Sequence, residues 1–243
     1  MSTLSADETQ RYARQLVLKG FGGAAQQKLK AARVAVVGAG ALGSPVIAYL
    51  AGAGIGRITV IDDDRVSVTN LHRQVLHGTA DIGRRKVESA GRFVAERNPH
   101  VVVTGQAVRL HGDNADSVLG GHDVIIDGSD SYSTRRLVAA SAQALGIPLV
   151  WGAVSMFDGQ VTVFVPGPDM PGLADLYPEA PEDAELPSCE VVGVLGATTG
   201  VIGTLMAGEA IKVITGLGEP LVGRLLIYDG QGARFTELRY GRG

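Results

Sequence analysis

Apolar residues fall into short runs of four or five, and between the runs they recur at helical spacing. RVAVV (33–37), ITVI (58–61), VVVT (101–104), DVIID (123–127) and PLVW (148–151) read as strands. Apolar positions three and four apart predict helices over 41–53, 84–97 and 131–144. Strands and helices in alternation predict a parallel, doubly wound sheet. After Trp151 the rhythm changes. GQVTVFV (159–165) is a strand, and GRLLIYD and RFTELRY form a pair around Gly230–Gly232, so these later strands extend the sheet in antiparallel fashion. Residues 191–216 predict a helix whose small side chains allow close approach of another. At the other end, Ser5 and Glu8 make a capping-box pattern ahead of Tyr12 and Leu16 at helical spacing, which predicts a helix over 7–18. No internal repeat or linker divides the chain. It reads as one unit, 1–243, with a parallel part at 33–151 and a remainder at 152–243.

One segment fits no element. Residues 166–190 hold six of the ten prolines, seven acids and no base. This composition predicts a long surface loop that packs no core, of the kind that carries function or disorder. Lys and Arg are absent between Arg136 and Lys212, yet the net charge is only −3 and no broad basic footprint suggests a nucleic-acid partner. Cys189 is the only cysteine, which rules out an intramolecular disulfide and thiolate zinc sites. The five histidines show no metal-ligand spacing and read as surface or turn residues. The first fifteen residues have no apolar core, so no signal peptide is predicted. The uncharged run 191–208 is diluted by glycine and threonine and reads as a buried helix rather than a membrane span. The expectation is a soluble, cytoplasmic protein with no membrane partner.

The chemistry sits behind the first strand. Gly38, Gly40 and Gly43, with Ala41 and Leu42 between them, leave a strand and open a helix, so a phosphate can approach the backbone at the helix N-terminus. Asp62 ends the second strand nineteen positions after Gly43, where an acid can hold a ribose, and Asp64 follows it. Together they predict a Rossmann-like unit that binds an adenine nucleotide. An NAD(P)-dependent oxidoreductase shares these features, but it has no need of the cations beyond the adenosine side. Here Asn70, Arg73 and Gln74 come directly after the acid, and Lys86 begins the next helix. Arg73 could bind the 2′-phosphate of NADP, yet Asp62, Asp63 and Asp64 crowd that edge with negative charge. ATP explains the cations better, because Lys and Arg neutralise β- and γ-oxygens as pyrophosphate departs. The magnesium such a reaction requires needs a carboxylate. Asp130, just past the fourth strand, is the candidate, with Asp127 a poorer one.

RYARQ, GAGALGS, IDDDRVSVTNLHRQ, GRRKVESA, NPHV, DGSD and GVLGATTGVIGTLMAGEAIK occur in the order found in the MoeB/ThiF family, and the resemblance spans roughly residues 8–240. These bacterial relatives of ubiquitin-activating enzymes adenylate the C-terminal Gly-Gly carboxylate of small ubiquitin-like sulfur-carrier proteins. The resemblance implies a single adenylation domain: 33–151 for the nucleotide, 152–243 for carrier binding and dimerisation. By the same resemblance, Asp62 holds the ribose, Asn70, Arg73 and Lys86 grip the triphosphate, and Asp130 holds magnesium. Arg14 would reach into the neighbouring subunit's site, which implies a homodimer, and Cys189 matches the cysteine used for a covalent link to the carrier. A separate sulfur donor is implied as well. Two departures stand out. The two CxxC pairs of a structural zinc are missing, so no zinc is expected and the prolines are read as limiting the loop's mobility instead. Ser131 also replaces the usual asparagine after the aspartate. These departures keep a non-catalytic carrier-binding relative open as an alternative.

Overall fold

The computed structural model of the chain describes residues 3–179 and 193–242. Five strands are mutually parallel: β1 (Arg33–Val37), β2 (Arg57–Ile61), β3 (Val102–Gln106), β4 (Val124–Asp127) and β5 (Leu149–Ser155). β6 (Asp158–Phe164), β7 (Arg224–Asp229) and β8 (Arg234–Arg239) follow in antiparallel pairs, as the change of rhythm predicted. The sheet order is β3-β2-β1-β4-β5-β6-β7-β8. β1 is apolar throughout its interior because both its faces are covered. Val34 and Val36 point into one core, Ala35 and Val37 into the other.

The first core lies under α3 (Gly22–Ala31), α4 (Gly43–Ala53), α5 (Lys86–Arg97) and α9 (Gly196–Thr215), through Leu29, Ile47, Val94, Ile202 and Met206 among others. α9 is long and apolar enough to cross a membrane by length and composition. Here it lies on the sheet, and its buried Glu209 accepts the Leu221 N–H (2.8 Å). The second core lies under α6 (Ala115–Leu119), α7 (Tyr132–Leu145) and α8 (Leu173–Leu176).

Four expectations change. The helix predicted over 7–18 breaks at Tyr12 into α1 (Ala6–Arg11) and α2 (Ala13–Leu16). The Tyr12 ring is buried there, and its hydroxyl accepts a hydrogen bond from Asn98 Nδ2 (2.9 Å), a tertiary contact that outweighs the local propensity. α3 and α6 carry only weak periodicity and were not anticipated. The segment after β6 does pack a core. Leu173 is buried, and Tyr177 lies 5.7 Å from Trp151, whose other neighbour Phe164 meets Tyr240 edge-on at 6.3 Å. Aromatic contacts running from Tyr177 to Tyr240, just past β8, thus anchor this part of the segment, while residues 180–190 lie outside the described residues. Last, the histidines are not all surface residues, since His77 is buried.

Candidate active site

The chain leaves β1 toward β2 on one side and returns as β4 on the other, so the carboxyl ends of β1 and β4 diverge and open a crevice. Two loops border it and touch each other. Gly38 has φ +87°, and a Cβ there would lie 2.9 Å from Gly128 O. Gly43, the first residue of α4, packs on Gly38 so tightly that a Cβ would lie 1.9 Å from Gly38 O. Both positions therefore demand glycine, Gly38 for its dihedral and Gly43 for space. Between them, the N–H groups of Gly40, Ala41 and Leu42 have no acceptor among the described residues, directly ahead of an eleven-residue helix. Free N–H groups at a helix start form a cradle for an anion.

The crevice holds a cavity of about 270 Å³. Of the residues singled out from the sequence, Gly38, Gly40, Ala41, Leu42, Asp62, Asp64, Asn70, Arg73, Gln74, Lys86 and Asp130 all line it. Gly43 stands behind, shaping the turn. Asp62 receives the Ala39 N–H on Oδ2 and the Asp64 N–H on Oδ1, each at 2.8 Å. Burial raises its pKa above the ordinary carboxylate value, against the pull of Lys86. Each oxygen keeps a second lone pair for a ligand hydroxyl.

Lys86 is buried, with Nζ 2.8 Å from the exposed Asp64 carboxylate. It is also the first residue of α5, where the helix dipole disfavours a cation. Neither placement favours stability, so a ligand's negative charge gives the better account of this lysine. Arg73 follows a 3-10 turn (Val68–Asn70), and its guanidinium bonds the Thr69 carbonyl and His72 Nε2, each at 2.8 Å. Asn70 Oδ1 is committed to the Ser67 N–H (3.0 Å), which leaves its amide NH2 for a ligand. Gln74 is buried on the cavity wall, and its Oε1 has no hydrogen-bond partner among the described residues.

On the β4 side, Asp127 and Asp130 separate cleanly. Asp127 is fully buried, does not line the cavity, and takes the Ser129 N–H on Oδ1 (2.9 Å). Its Oδ2 has no well-formed hydrogen bond, although the Ser129 hydroxyl is close, and burial raises its pKa against the nearby Arg135. Asp130 stands exposed on the cavity rim. Ser131 N-caps α7, accepting the Thr134 N–H at 3.3 Å. Serine and asparagine serve equally at that position, so the replacement keeps this role.

Sequence reasoning missed two residues. Arg135, in the first turn of α7, adds a cation to the cavity wall; it donates to Ser129 O (3.0 Å) and lies 5.5 Å over the Trp151 ring. Its sign in the sequence was a base four residues past a helix-capping serine. His77 binds the glycine loop from behind and has no sequence signature at all. One other candidate stands apart from the cavity. Arg14 lies on α2, exposed, and the neighbouring Gln15 donates to Ala53 O (3.0 Å) at the far end of α4 from the glycine loop. Eleven helical residues span about 16 Å, so Arg14 does not serve the cavity of its own chain. Cys189 lies outside the described residues.

The carboxylates of Asp62, Asp63 and Asp64 bring oxygens within 4.8 Å of one another. Those of Asp62 and Asp64 are already engaged by backbone N–H groups and Lys86. Asp63 is paired with Arg109, so Asp130, an exposed carboxylate on the cavity rim with no cation partner among the described residues, fits magnesium better, because magnesium keeps several waters and takes one or two carboxylates plus phosphate oxygens.

Residues 12–242 match the model of the ThiF family. The chain belongs to the ThiF family. It is 46% identical over 240 residues to the sulfur carrier protein adenylyltransferase of Thermus thermophilus, covering 97% of this chain and 89% of that one. It is 41% identical over 242 residues to the molybdopterin-synthase adenylyltransferase of Salmonella typhimurium, covering 100% and 96%. A probable adenylyltransferase/sulfurtransferase, MoeZ of Mycobacterium tuberculosis, is 46% identical over 231 residues; this ThiF-family chain spans 94% of its own length there and 59% of MoeZ. Among solved structures, Escherichia coli MccB with ATP superposes with a TM-score of 0.84 at 24% identity, over 96% of this chain and 72% of MccB, a likeness of fold.

Proposed function

We propose that the chain is an ATP- and magnesium-dependent adenylyltransferase that activates the C-terminal Gly-Gly carboxylate of a small ubiquitin-like sulfur-carrier protein. One observation carries this reading: a buried lysine, Lys86, and two arginines, Arg73 and Arg135, line the same cavity as three free N–H groups at a helix start. Arg109, paired with Asp63, and the carboxylates of Asp62, Asp64 and Asp130 share the wall, so it is the placement of these donors beside the N–H groups that suits a triphosphate whose pyrophosphate must leave. The name of one ThiF-family relative, sulfur carrier protein adenylyltransferase, supports the carrier as substrate.

In the reaction, a carrier carboxylate oxygen attacks the α-phosphorus. The bond from that phosphorus to the bridging oxygen breaks, and pyrophosphate leaves with the electron pair. Lys86, Arg73 and Arg135 hold the negative oxygens, the glycine loop orients the phosphates, and Asp62 holds the ribose. No side-chain nucleophile is required, so positioning and charge neutralisation supply the acceleration. Asp130 would hold magnesium, which supplies further neutralisation of phosphate charge. Arg14, distant from its own cavity, is assigned to the site of a second copy, which makes the working form a homodimer. Residues 152–243 would receive the carrier, and the acyl-adenylate would pass to a separate sulfur donor. This first step assigns no chemistry to Cys189.

The test is exchange of labelled pyrophosphate into ATP. Exchange that requires a Gly-Gly-tailed carrier supports the reading; none with any such carrier from the source genome overturns it. A melting temperature raised by a nicotinamide cofactor and not by ATP with magnesium would favour the oxidoreductase instead.

A further inference from the structure

His77 is held between two groups. Its Nε2 lies 2.9 Å from the Ala39 carbonyl oxygen, and its Nδ1 lies 2.9 Å from the Ser89 hydroxyl. The ring is buried behind the glycine loop, away from the cavity. A carbonyl can only accept, so Nε2 carries a proton. Burial pushes the imidazole's pKa below its ordinary value, so the ring is neutral and Nδ1 carries the lone pair. Ser89 then donates to Nδ1. The Asp81 carboxylate competes for that hydroxyl's single proton, but it also takes the Gly78 N–H (3.0 Å) and Arg92, whereas Nδ1 has no other donor among the described residues.

The Ala39 carbonyl and the Gly40 N–H belong to one planar trans peptide, so they point in opposite directions. A carbonyl directed at His77 sends the Gly40 N–H the other way, and Gly40 borders the cavity. On the preceding peptide, Asp62 takes the Ala39 N–H. With glycine on both sides of Ala39, the intervening peptide could turn at little steric cost; His77 and Asp62 between them remove that freedom.

We propose that His77 is a positioning residue for the nucleotide: through the Ala39 carbonyl, it aims the Gly40 N–H at a phosphate. This rests on the cavity being the ATP site. The same backbone with the peptide turned over would present a carbonyl oxygen to the phosphate, so the loss is sharper than one absent donor. Ser89 acts one step further back, because its hydroxyl satisfies the Nδ1 lone pair and so holds the ring in place.

Three measurements test this. In the wild-type chain, ring ¹⁵N–¹H correlation spectra should place the proton on Nε2; a proton on Nδ1 overturns the proposal. In the His77→Phe variant, ATP should bind roughly 10- to 100-fold more weakly, the range for a lost hydrogen bond to a charged group, while adenosine binds within about twofold of wild type. His77→Gln, whose amide N–H can take the place of Nε2–H, should recover most of the ATP affinity. Equal weakening of ATP and adenosine would mean a merely structural role. Unchanged ATP binding, or a glutamine variant no better than phenylalanine, would refute the proposal too. A wild-type chain that binds no ATP sinks the adenylation reading on its own, while the ring tautomer still decides what His77 does to the loop.

Discussion

Replacing Gly43 by alanine tests whether the glycine loop is held by space or only by dihedral freedom. The added Cβ would sit 1.9 Å from Gly38 O and 2.8 Å from Gly38 C, both backbone atoms. Cβ atoms essentially never come within 3.0 Å of another heavy atom, so turn and helix must separate by at least about 1 Å. Gly38 cannot yield easily, since its N–H bonds Ile61 O (2.8 Å) and its own α-carbon faces Gly128. Overpacking of this kind costs about 3 kcal/mol. For a chain of this size that lowers Tm by about 6–12 °C. Gly91, inside α5, is the control, because a Cβ there meets nothing within 4 Å. Gly91→Ala should raise stability by about 0.5–1 kcal/mol through helix propensity. Thermal unfolding of both variants, with ATP titration by calorimetry, gives the comparison. Gly43→Ala should also lose at least about tenfold in ATP affinity, because the N–H cradle moves with the helix start. A Gly43→Ala chain that melts within 2 °C of wild type (about 0.5–1 kcal/mol) and binds ATP normally would refute the steric reasoning.

Lys86→Met should separate activity from stability. Pyrophosphate exchange should fall by about 100-fold or more, while Tm holds or rises, because a buried cation at a helix N-terminus disappears and exposed Asp64 is left in water; a large drop in Tm would contradict this. Asn98→Ala removes donors to Tyr12 Oη (2.9 Å) and Ala51 O (2.7 Å), both buried. It should cost about 1–3 kcal/mol and speed tryptic cleavage at Arg11 and Arg14, and unchanged proteolysis would argue against Asn98 as the anchor of that arm. Asp127 has a raised pKa in the folded chain, so its contribution to stability is fully present below the ordinary carboxylate pKa and lost as pH rises through the raised value. Relative to Asp127→Asn, wild type should therefore lose Tm as pH climbs from the ordinary carboxylate range toward neutrality. A difference that stays constant or changes sign the other way would show that Asp127 is not destabilised by burial.

The central strands β1, β2, β4 and β5 were legible because each carries a continuous apolar run, and β1 is apolar because both its faces are covered. Helix starts were less so. The helices predicted from 41 and 84 begin at Gly43 and Lys86, since Ala41 and Leu42 line the cavity and Arg84 and Arg85 pair with Val66 and Arg65 instead. The segment after β6 reads as loop from its prolines and acids. Leu173 and Tyr177 pack nonetheless, because Trp151 and Phe164 lie bare on that side of the sheet.

The site divides the same way. Its glycines, its acid and its cations declared themselves because each has a spacing tied to a strand end or helix start, and those local geometries are encoded within a few residues. His77 and Arg135 did not, because nothing near them in sequence names their partners. Ala39 lies 38 residues before His77, and Trp151 lies 16 after Arg135. The amino-acid sequence alone determined that a glycine turn follows β1, that an acid ends β2 and that cations follow the acid. Only the tertiary structure decided which carboxylate faces the cavity, which cation is buried, and which side chain holds the glycine loop from behind. Those are properties of packing between distant segments, and burial and hydrogen-bond direction exist only once the sheet has brought them together.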